Sequence, residues 1–330
     1  MCNGIFQGLL LGCVVLNTTV GRDNLRRAVH LGLGKGYVLM GFRRVMVTHR
    51  DLDGVACGII GKAAYPELEV FYENYDTVDK RLEEVLKSLL DNKEFGIVYI
   101  TDLSPKQQHI VDMLDKFNTG DARSVLLLDH HQTAKDRLKD YSWANFKTDC
   151  CGAMILFDWL MGCTCAPRVQ RFRVFIKLVN DYDMWHHNYP ESRLLNYLLA
   201  AMGMELFIKR CLTRPADYIN ETDDLLIKIH MQKLEKYCKR SLETMVEHRD
   251  EYGYRVGVVF CENHYASEVG HYILSRADLD YVAMIDMRRM SVSMRSKKVD
   301  IGKIAEAKGG GGHKLSAGYN IQTQNVGGLL

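Results

Sequence analysis

A surplus of charge of one sign is missing from this 330-residue chain: 43 Lys and Arg face 41 Asp and Glu, a net charge of +2. Proteins that coat long nucleic acid carry a basic surplus, because phosphate neutralisation dominates their affinity. This composition argues against that class. A long unbroken apolar run is missing too. The stretch Ile5–Val20 is interrupted by Asn17, Thr18 and Thr19, has no Lys or Arg before it, and is too short for a membrane span. Among ten cysteines no C-x-x-C pair occurs, although Cys150, Cys151, Cys163 and Cys165 cluster, so a structural zinc site is disfavoured. Reduced, buried thiols and a cytoplasmic location are expected instead. No internal repeat or low-complexity tract occurs.

With 47% hydrophobic and 25% charged residues, the chain has the composition of a globular protein, long enough for two cores. Residues 1–39 carry no motif, and Met40 directly precedes the first convincing strand. They are expected to be an N-terminal extension without function, translation starting at Met40. Strands are then predicted at Val45–Thr48, Leu68–Tyr72, Gly96–Ile100 and Ser124–Leu128, with helices at Val55–Ala64 and Val78–Leu90 and a third starting at Pro105. Alternating strands and helices imply a parallel sheet with crossover helices, over residues 40–190. Beyond Cys151, helices are predicted at Gly152–Leu160 and Val169–Val179. Residues 191–253 are read as a helical connector containing one long helix, Leu225–His248. A smaller α/β domain follows at 254–330, with strands at Val256–Phe260, Tyr281–Asp286 and Ser291–Arg295, helices at Ala266–Leu274 and Ile301–Ala307, and a frayed end at Gly327–Leu330.

Acidic residues recur just past the strand ends. His49, Asp51 and Asp53 follow the first strand, Asp102 the third, and Asp129, His130 and His131 the fourth, while Asp183 closes a helix. Singly, each has an ordinary explanation, such as capping the next helix. Jointly they crowd carboxylates at the sheet edge where α/β proteins bind ligands. Such crowding is unfavourable without cations. Carboxylates with a minority of imidazoles suit Mn²⁺, with Mg²⁺ as a lesser option, and two such ions can activate water and neutralise a phosphate. Farther on, Gly309-Gly310-Gly311-Gly312-His313, with Arg295 and Ser296 ending an upstream strand, suggests a phosphate cradle of backbone amides and a guanidinium.

These motifs resemble, in order, those of the DHH phosphoesterase superfamily: His49-x-Asp51-x-Asp53-Gly54, Asp102, Asp129-His130-His131, Tyr182-Asp183-x-Trp185, and the GGGH motif of the DHH-associated C-terminal domain at Gly310–His313. The phrases THRDLDG, ITDLS, LLDHHQTA, YDMW and VSMRS most resemble the oligoribonuclease (nanoRNase, NrnB-like) branch. The resemblance covers about residues 43–320. It implies one metal on His49, Asp51 and Asp102, and a second on Asp53, Asp102, His130 and Asp183, with Asp181 a rival for Asp183. It further implies that Asp129 orients a histidine, that His131 contacts the scissile phosphate, and that Arg295, Ser296, Gly310, Gly311, Gly312 and His313 hold the remote part of a short oligonucleotide in a cleft between domains. A bisphosphate or cyclic-dinucleotide phosphoesterase, a RecJ-like exonuclease and a non-catalytic scaffold are the alternatives. The oligomeric state stays open, a homodimer included.

Overall fold

The computed structural model describes residues 42–321 apart from 93, 121 and 122. The expected extension, residues 1–39, and the expected frayed end, Gly327–Leu330, lie outside the described residues. The chain divides into two compact units. One runs to His130 and resumes over Arg137–Ile219; the other takes His131–Asp136 and the chain from Asn220 onward.

Five strands build the sheet of the first unit: β1 (Phe42–His49), β2 (Glu69–Glu73), β3 (Phe95–Thr101), β4 (Arg123–Asp129) and β5 (Ala144–Phe146). All pair in parallel, in the order β2-β1-β3-β4-β5. Strands covered on both faces need apolar residues at successive positions rather than at alternate ones. Val45, Met46 and Val47 are accordingly all buried. Helices α2 (Val78–Asp91) and α3 (Gln108–Phe117) cover one face, where Leu82, Leu86, Leu89, Leu114 and Phe117 form one core with Val45, Val47, Val98, Ile100 and Leu127. On the other face lie α1 (Leu52–Ala64), buried almost all round, and α5 (Gly152–Met161).

From β1 the chain moves outward to β2, then returns past β1 to β3 and continues outward through β4. The order therefore reverses between β1 and β3, and at such a switch point a crevice opens at the carboxyl ends of the strands. Register sets the level: Thr48 pairs with Thr101, and Thr101 with Leu128. His49, Asp102 and Asp129 thus leave the sheet side by side.

Several predicted elements need correction. The third helix starts at Gln108, not at Pro105, because the buried carboxylate of Asp79 accepts the amides of Lys106 (2.9 Å) and Gln107 (3.2 Å) and keeps them extended. A short helix, α4 (Gln132–Leu138), and strand β5 were not anticipated. The predicted helix at Val169–Val179 is a sequence of three pieces: α6 (Ala166–Val169), a 3-10 turn (Gln170–Phe172) and α7 (Arg173–Asp183). Of the segment read as a connector, α8 (Pro190–Met202) and α9 (Met204–Thr213) belong to the first unit.

The second unit starts with α10 (Glu221–Glu243), whose Asn220 and Asp223 form a reciprocal capping box. This helix ends five residues before the predicted His248. Val246–Arg249 is instead strand β6, paired antiparallel with β7 (Arg255–Phe260). A six-stranded mixed sheet results, in the order β10-β11-β9-β8-β7-β6, with β8 (Tyr281–Asp286), β9 (Ser291–Ser296), β10 (Gly311–His313) and β11 (Ser316–Asn320). Helix α12 (Ile301–Ala307) packs Ile301, Ile304 and Ala305 against Val292, Met294 and Ala317, and α11 (Ala266–Leu274) packs on β8 and β9.

Asp79 joins α2 to the loop after β3 through two charge-assisted bonds. Asp79→Ala strands both amides and should lower stability by about 1.5–3 kcal/mol, read as a fall in the urea midpoint. An unchanged midpoint would mean that these amides find water without cost.

Candidate metal centre

Each carboxylate in the crevice is positioned by the backbone beside it. After β1, Asp51 is the N-cap of α1: one oxygen accepts the Gly54 amide at 3.1 Å, and the other meets His49 Nδ1 at 2.8 Å. Gly54 itself has no room for a side chain, since a Cβ there would lie 2.3 Å from the His49 carbonyl oxygen. Asp53, buried in the first turn of α1, accepts the amides of Gly152 (2.7 Å) and Ala153 (2.8 Å). Those donors are the unsatisfied first-turn amides of α5, whose dipole also favours a negative charge.

Asp102 follows β3 with φ of +57°, a left-handed backbone uncommon for a non-glycine residue. Its amide donates to Leu128 O at 3.1 Å, which holds this conformation against β4. The side chain is 1% exposed, and Oδ2 has no hydrogen-bond partner. At the end of β4, buried Asp129 accepts the Ser104 hydroxyl (2.6 Å) and the His130 amide (2.7 Å), fixing the peptide that carries the imidazole. His130 Nε2 lies 3.3 Å from Asp102 Oδ1 and 3.6 Å from Asp183 Oδ2.

The competition between Asp181 and Asp183 has a structural outcome. Asp181 accepts the amides of Asn188 (2.9 Å) and Tyr189 (3.2 Å), so its oxygens are engaged in closing the turn after α7. Asp183 instead faces His130, and its Oδ2 is buried without a hydrogen-bond partner. Two donor groups emerge in the first unit: His49 with Asp51 and Asp102, and Asp53 with His130 and Asp183. Within each group, one ligand atom per residue lies within 4.8 Å of the others.

The charges confirm how crowded this crevice is. Burial first, then the neighbouring Asp53, Asp51 and Asp183, push the Asp102 carboxyl well above the usual carboxylate range. Burial and Asp53 push Asp183 up to about 8. His49 shows the converse: burial opposes its charge, but Asp51, Asp53 and Asp129 outweigh it and raise its pKa. Orphaned buried oxygens, mutual repulsion and an oxygen-rich donor set with two imidazoles are what a site for hard or borderline divalent cations requires.

The remaining expected residues belong to the second unit. The His131 ring stacks on His313, with centroids 5.2 Å apart at 24°. Arg295 is anchored by the Ser267 hydroxyl (2.7 Å) and the Met294 carbonyl (2.8 Å). Two expectations change here. Ser296 is buried, donates to Asp280 O and accepts the amides of Lys298 and Val299, so its hydroxyl is engaged in the turn. The glycine run is not an open loop. Gly309 and Gly310 amides close the end of α12 on Glu306 O and Ala305 O, and Gly311–His313 is strand β10, with Gly312 at φ of +138° against Ala317 of β11.

Sequence reasoning missed two residues of this region. Gly152 contributes its amide to Asp53, and a Cβ there would lie 2.8 Å from Asp102 Cβ. Tyr75, in the turn after β2, packs its ring 4.8 Å from that of His49. Neither stands in a motif. Both reach the site through contacts distant in sequence.

The comparisons with known proteins agree with this geometry. No family model matches the sequence. The chain is 26% identical over 293 residues to oligoribonuclease NrnB of Bacillus subtilis strain 168, spanning 84% of this chain and 72% of that protein. Over 148 residues it is 24% identical to a 3′,5′-cyclic-nucleotide phosphodiesterase of Helicobacter pylori strain 26695, 42% of either chain. Among solved structures, the DHH domain of a member of the s1p family of ribosomal proteins superposes with a TM-score of 0.62 at 11% identity, covering 94% of this chain and 86% of that one. Exonuclease RecJ bound to manganese gives 0.53 at 13% identity, covering 95% and 93%. With the motif residues of the first unit brought to one sheet edge, the chain resembles the DHH phosphoesterases in fold and in motif order. The similarity to oligoribonuclease NrnB extends over most of both chains.

The raised carboxyls predict a pH dependence. A carboxyl whose folded pKa exceeds its unfolded value binds more protons in the native state, so stability falls as pH rises between the two values. For Asp183 that window runs from about 4 to about 8. Metal-free protein should therefore melt at progressively lower temperature across this range. Asp183→Asn should flatten the slope, a result checked by thermal melts in chelator. Parallel slopes for both proteins would contradict the charge assignment.

Proposed function

We propose that this protein is a phosphodiesterase that uses divalent cations to hydrolyse phosphodiester bonds in short oligonucleotides or small nucleotides. The observation that carries this reading is the pair of donor groups at the switch point, linked through the buried, left-handed Asp102. His49, Asp51 and Asp102 would hold one cation, and Asp53, Asp102, His130 and Asp183 a second, with manganese the best match to these donors. Bound cations supply charge neutralisation for the phosphate and lower the pKa of water.

The chain's own groups do the rest. Asp129, through Ser104 and the His130 amide, fixes the direction of the imidazole. His131, its ring seated on His313, offers an imidazole to the scissile phosphate. Arg295, anchored through Ser267, presents a planar donor group to a phosphate or terminal nucleotide away from the cut. The near-neutral net charge suits a short substrate. A cyclic-nucleotide or bisphosphate phosphoesterase is the second reading, favoured by the similarity to the H. pylori relative. A non-catalytic scaffold fits poorly, because every expected metal ligand is present.

Manganese-dependent cleavage of oligonucleotides of increasing length, with cyclic dinucleotides and adenosine 3′,5′-bisphosphate alongside, tests the proposal. Asp102→Ala should abolish hydrolysis in a folded protein, since this carboxylate would belong to both proposed donor sets. Activity within about tenfold of wild type, with both metals still bound, would refute the assignment. Arg295→Ala removes a charge-assisted contact of about 1.5–3 kcal/mol. It should therefore lower kcat/KM for a dinucleotide about tenfold to a hundredfold more than for bis-p-nitrophenyl phosphate. Equal losses on both would place Arg295 at the reacting phosphorus.

A further inference from the structure

Beside the carboxylates, the loops after β2 and β3 carry two side chains that the reading above does not use. Tyr75 lies in the turn before α2, with its ring against His49 at 4.8 Å and 37% of the residue exposed. Over its ring lies the Lys106 ammonium, 5.5 Å from the centroid. The Lys106 backbone is not free to drift. Its amide is held by Asp79 in the first turn of α2, and its carbonyl accepts from Arg137 Nη1 at 3.4 Å.

The ammonium itself is poorly matched by the protein. Lys106 is exposed, and among the described residues no side-chain hydrogen bond or ion pair holds its ammonium. An exposed cation without a close counter-ion is free to meet an incoming anion. An aromatic face beside a cation is the combination that holds single-stranded nucleotides, the ring stacking on a base and the charge meeting the backbone. The placement decides which part of a substrate arrives there, since Tyr75 touches a proposed metal ligand directly and Lys106 lies one ring farther out.

We propose that Tyr75 and Lys106 form a subsite for the nucleotide next to the cut, the Tyr75 ring facing its nucleoside and the Lys106 ammonium binding the phosphate beyond it. This rests on the phosphodiesterase reading above. Both residues of the subsite belong to the first unit, whereas Arg295 and His313 belong to the second.

The test uses diadenosine monophosphate (ApA) and its two forms carrying a terminal phosphate at the 5′ or the 3′ end. Binding to the calcium-loaded full-length protein is measured by calorimetry. Wild type should bind one of the phosphorylated forms about tenfold or more tighter than ApA, the size of a charge-assisted phosphate contact. Lys106→Ala should erase that gain while the gain from the other terminal phosphate persists, and Lys106→Arg should restore it. Tyr75→Leu should weaken all three ligands, whereas Tyr75→Phe, which keeps the ring, should not. Loss of binding common to Lys106→Ala and Lys106→Arg would mean a damaged loop and would overturn the subsite. So would a gain that survives Lys106→Ala, or no gain from either phosphate in wild type. Hydrolysis in manganese, run in parallel, separates the two claims. A Lys106-dependent gain without cleavage keeps the subsite and removes the phosphodiesterase reading; cleavage without such a gain does the reverse.

Discussion

A carboxylate oxygen buried without a partner is among the least favourable groups a fold can contain, and Asp102 adds to this a left-handed backbone and three carboxylate neighbours. Such a residue persists only where its surroundings leave it no alternative. Here β3 enters from the middle of a five-stranded parallel sheet, and the Asp102 amide is committed to Leu128 O on the next strand. The sheet thus fixes the direction in which the carboxylate points. Its nearest cationic candidates are imidazoles, His130 Nε2 at 3.3 Å and His49 Nδ1 at 3.8 Å. The other charged groups of the crevice are arranged around this one, and a divalent cation relieves all of them together.

The acids of this region fall into two physical populations. Asp79, Asp129 and Asp181 accept main-chain amides, and that engagement ties a loop to the frame. Asp102 and Asp183 keep a buried oxygen with no hydrogen bond. Asp51 and Asp53 have both oxygens hydrogen-bonded, each capping a helix, and yet each shares a cluster with a histidine and a further acid. This double use explains the close packing of α5: only glycine at position 152 lets that helix end approach Asp53 and Asp102 together. The N-terminal dipole of α5 then offsets part of the charge that a cation must balance in full.

Much of this was legible in the sequence, because the information was local. An apolar run followed by Asp or His identifies a covered strand and its exit, and three such exits in phase identify an edge; β1, β3 and β4 lie within a few residues of their predicted bounds. Long-range contacts defeated the rest. Pro105 is a good helix starter, yet Asp79, far back in the chain, holds the next two residues extended. Val246–Arg249 continues a helical pattern with no stop signal and becomes a strand because β7 offers it a partner. Gly309–Gly312 reads as a cradle of free backbone amides, but two of its amides close α12 and two of its residues pair with β11. Tyr75 and Gly152 carry no local mark at all.

Net charge and local charge also have to be reconciled. A total of +2 gives little long-range attraction for a polyanion, and the crevice is acidic, so without cations it repels the phosphates it is proposed to cleave. Cations in the crevice reverse that sign only locally, over a distance set by screening, about 8–10 Å in physiological salt. Further affinity must come from single fixed cations such as Lys106 and Arg295, each held by the backbone or a hydroxyl rather than spread over a basic face. Few discrete contacts recognise few phosphates. A long strand would gain little from its extra length, so the proposed action on short substrates agrees with the distribution of charges in the chain.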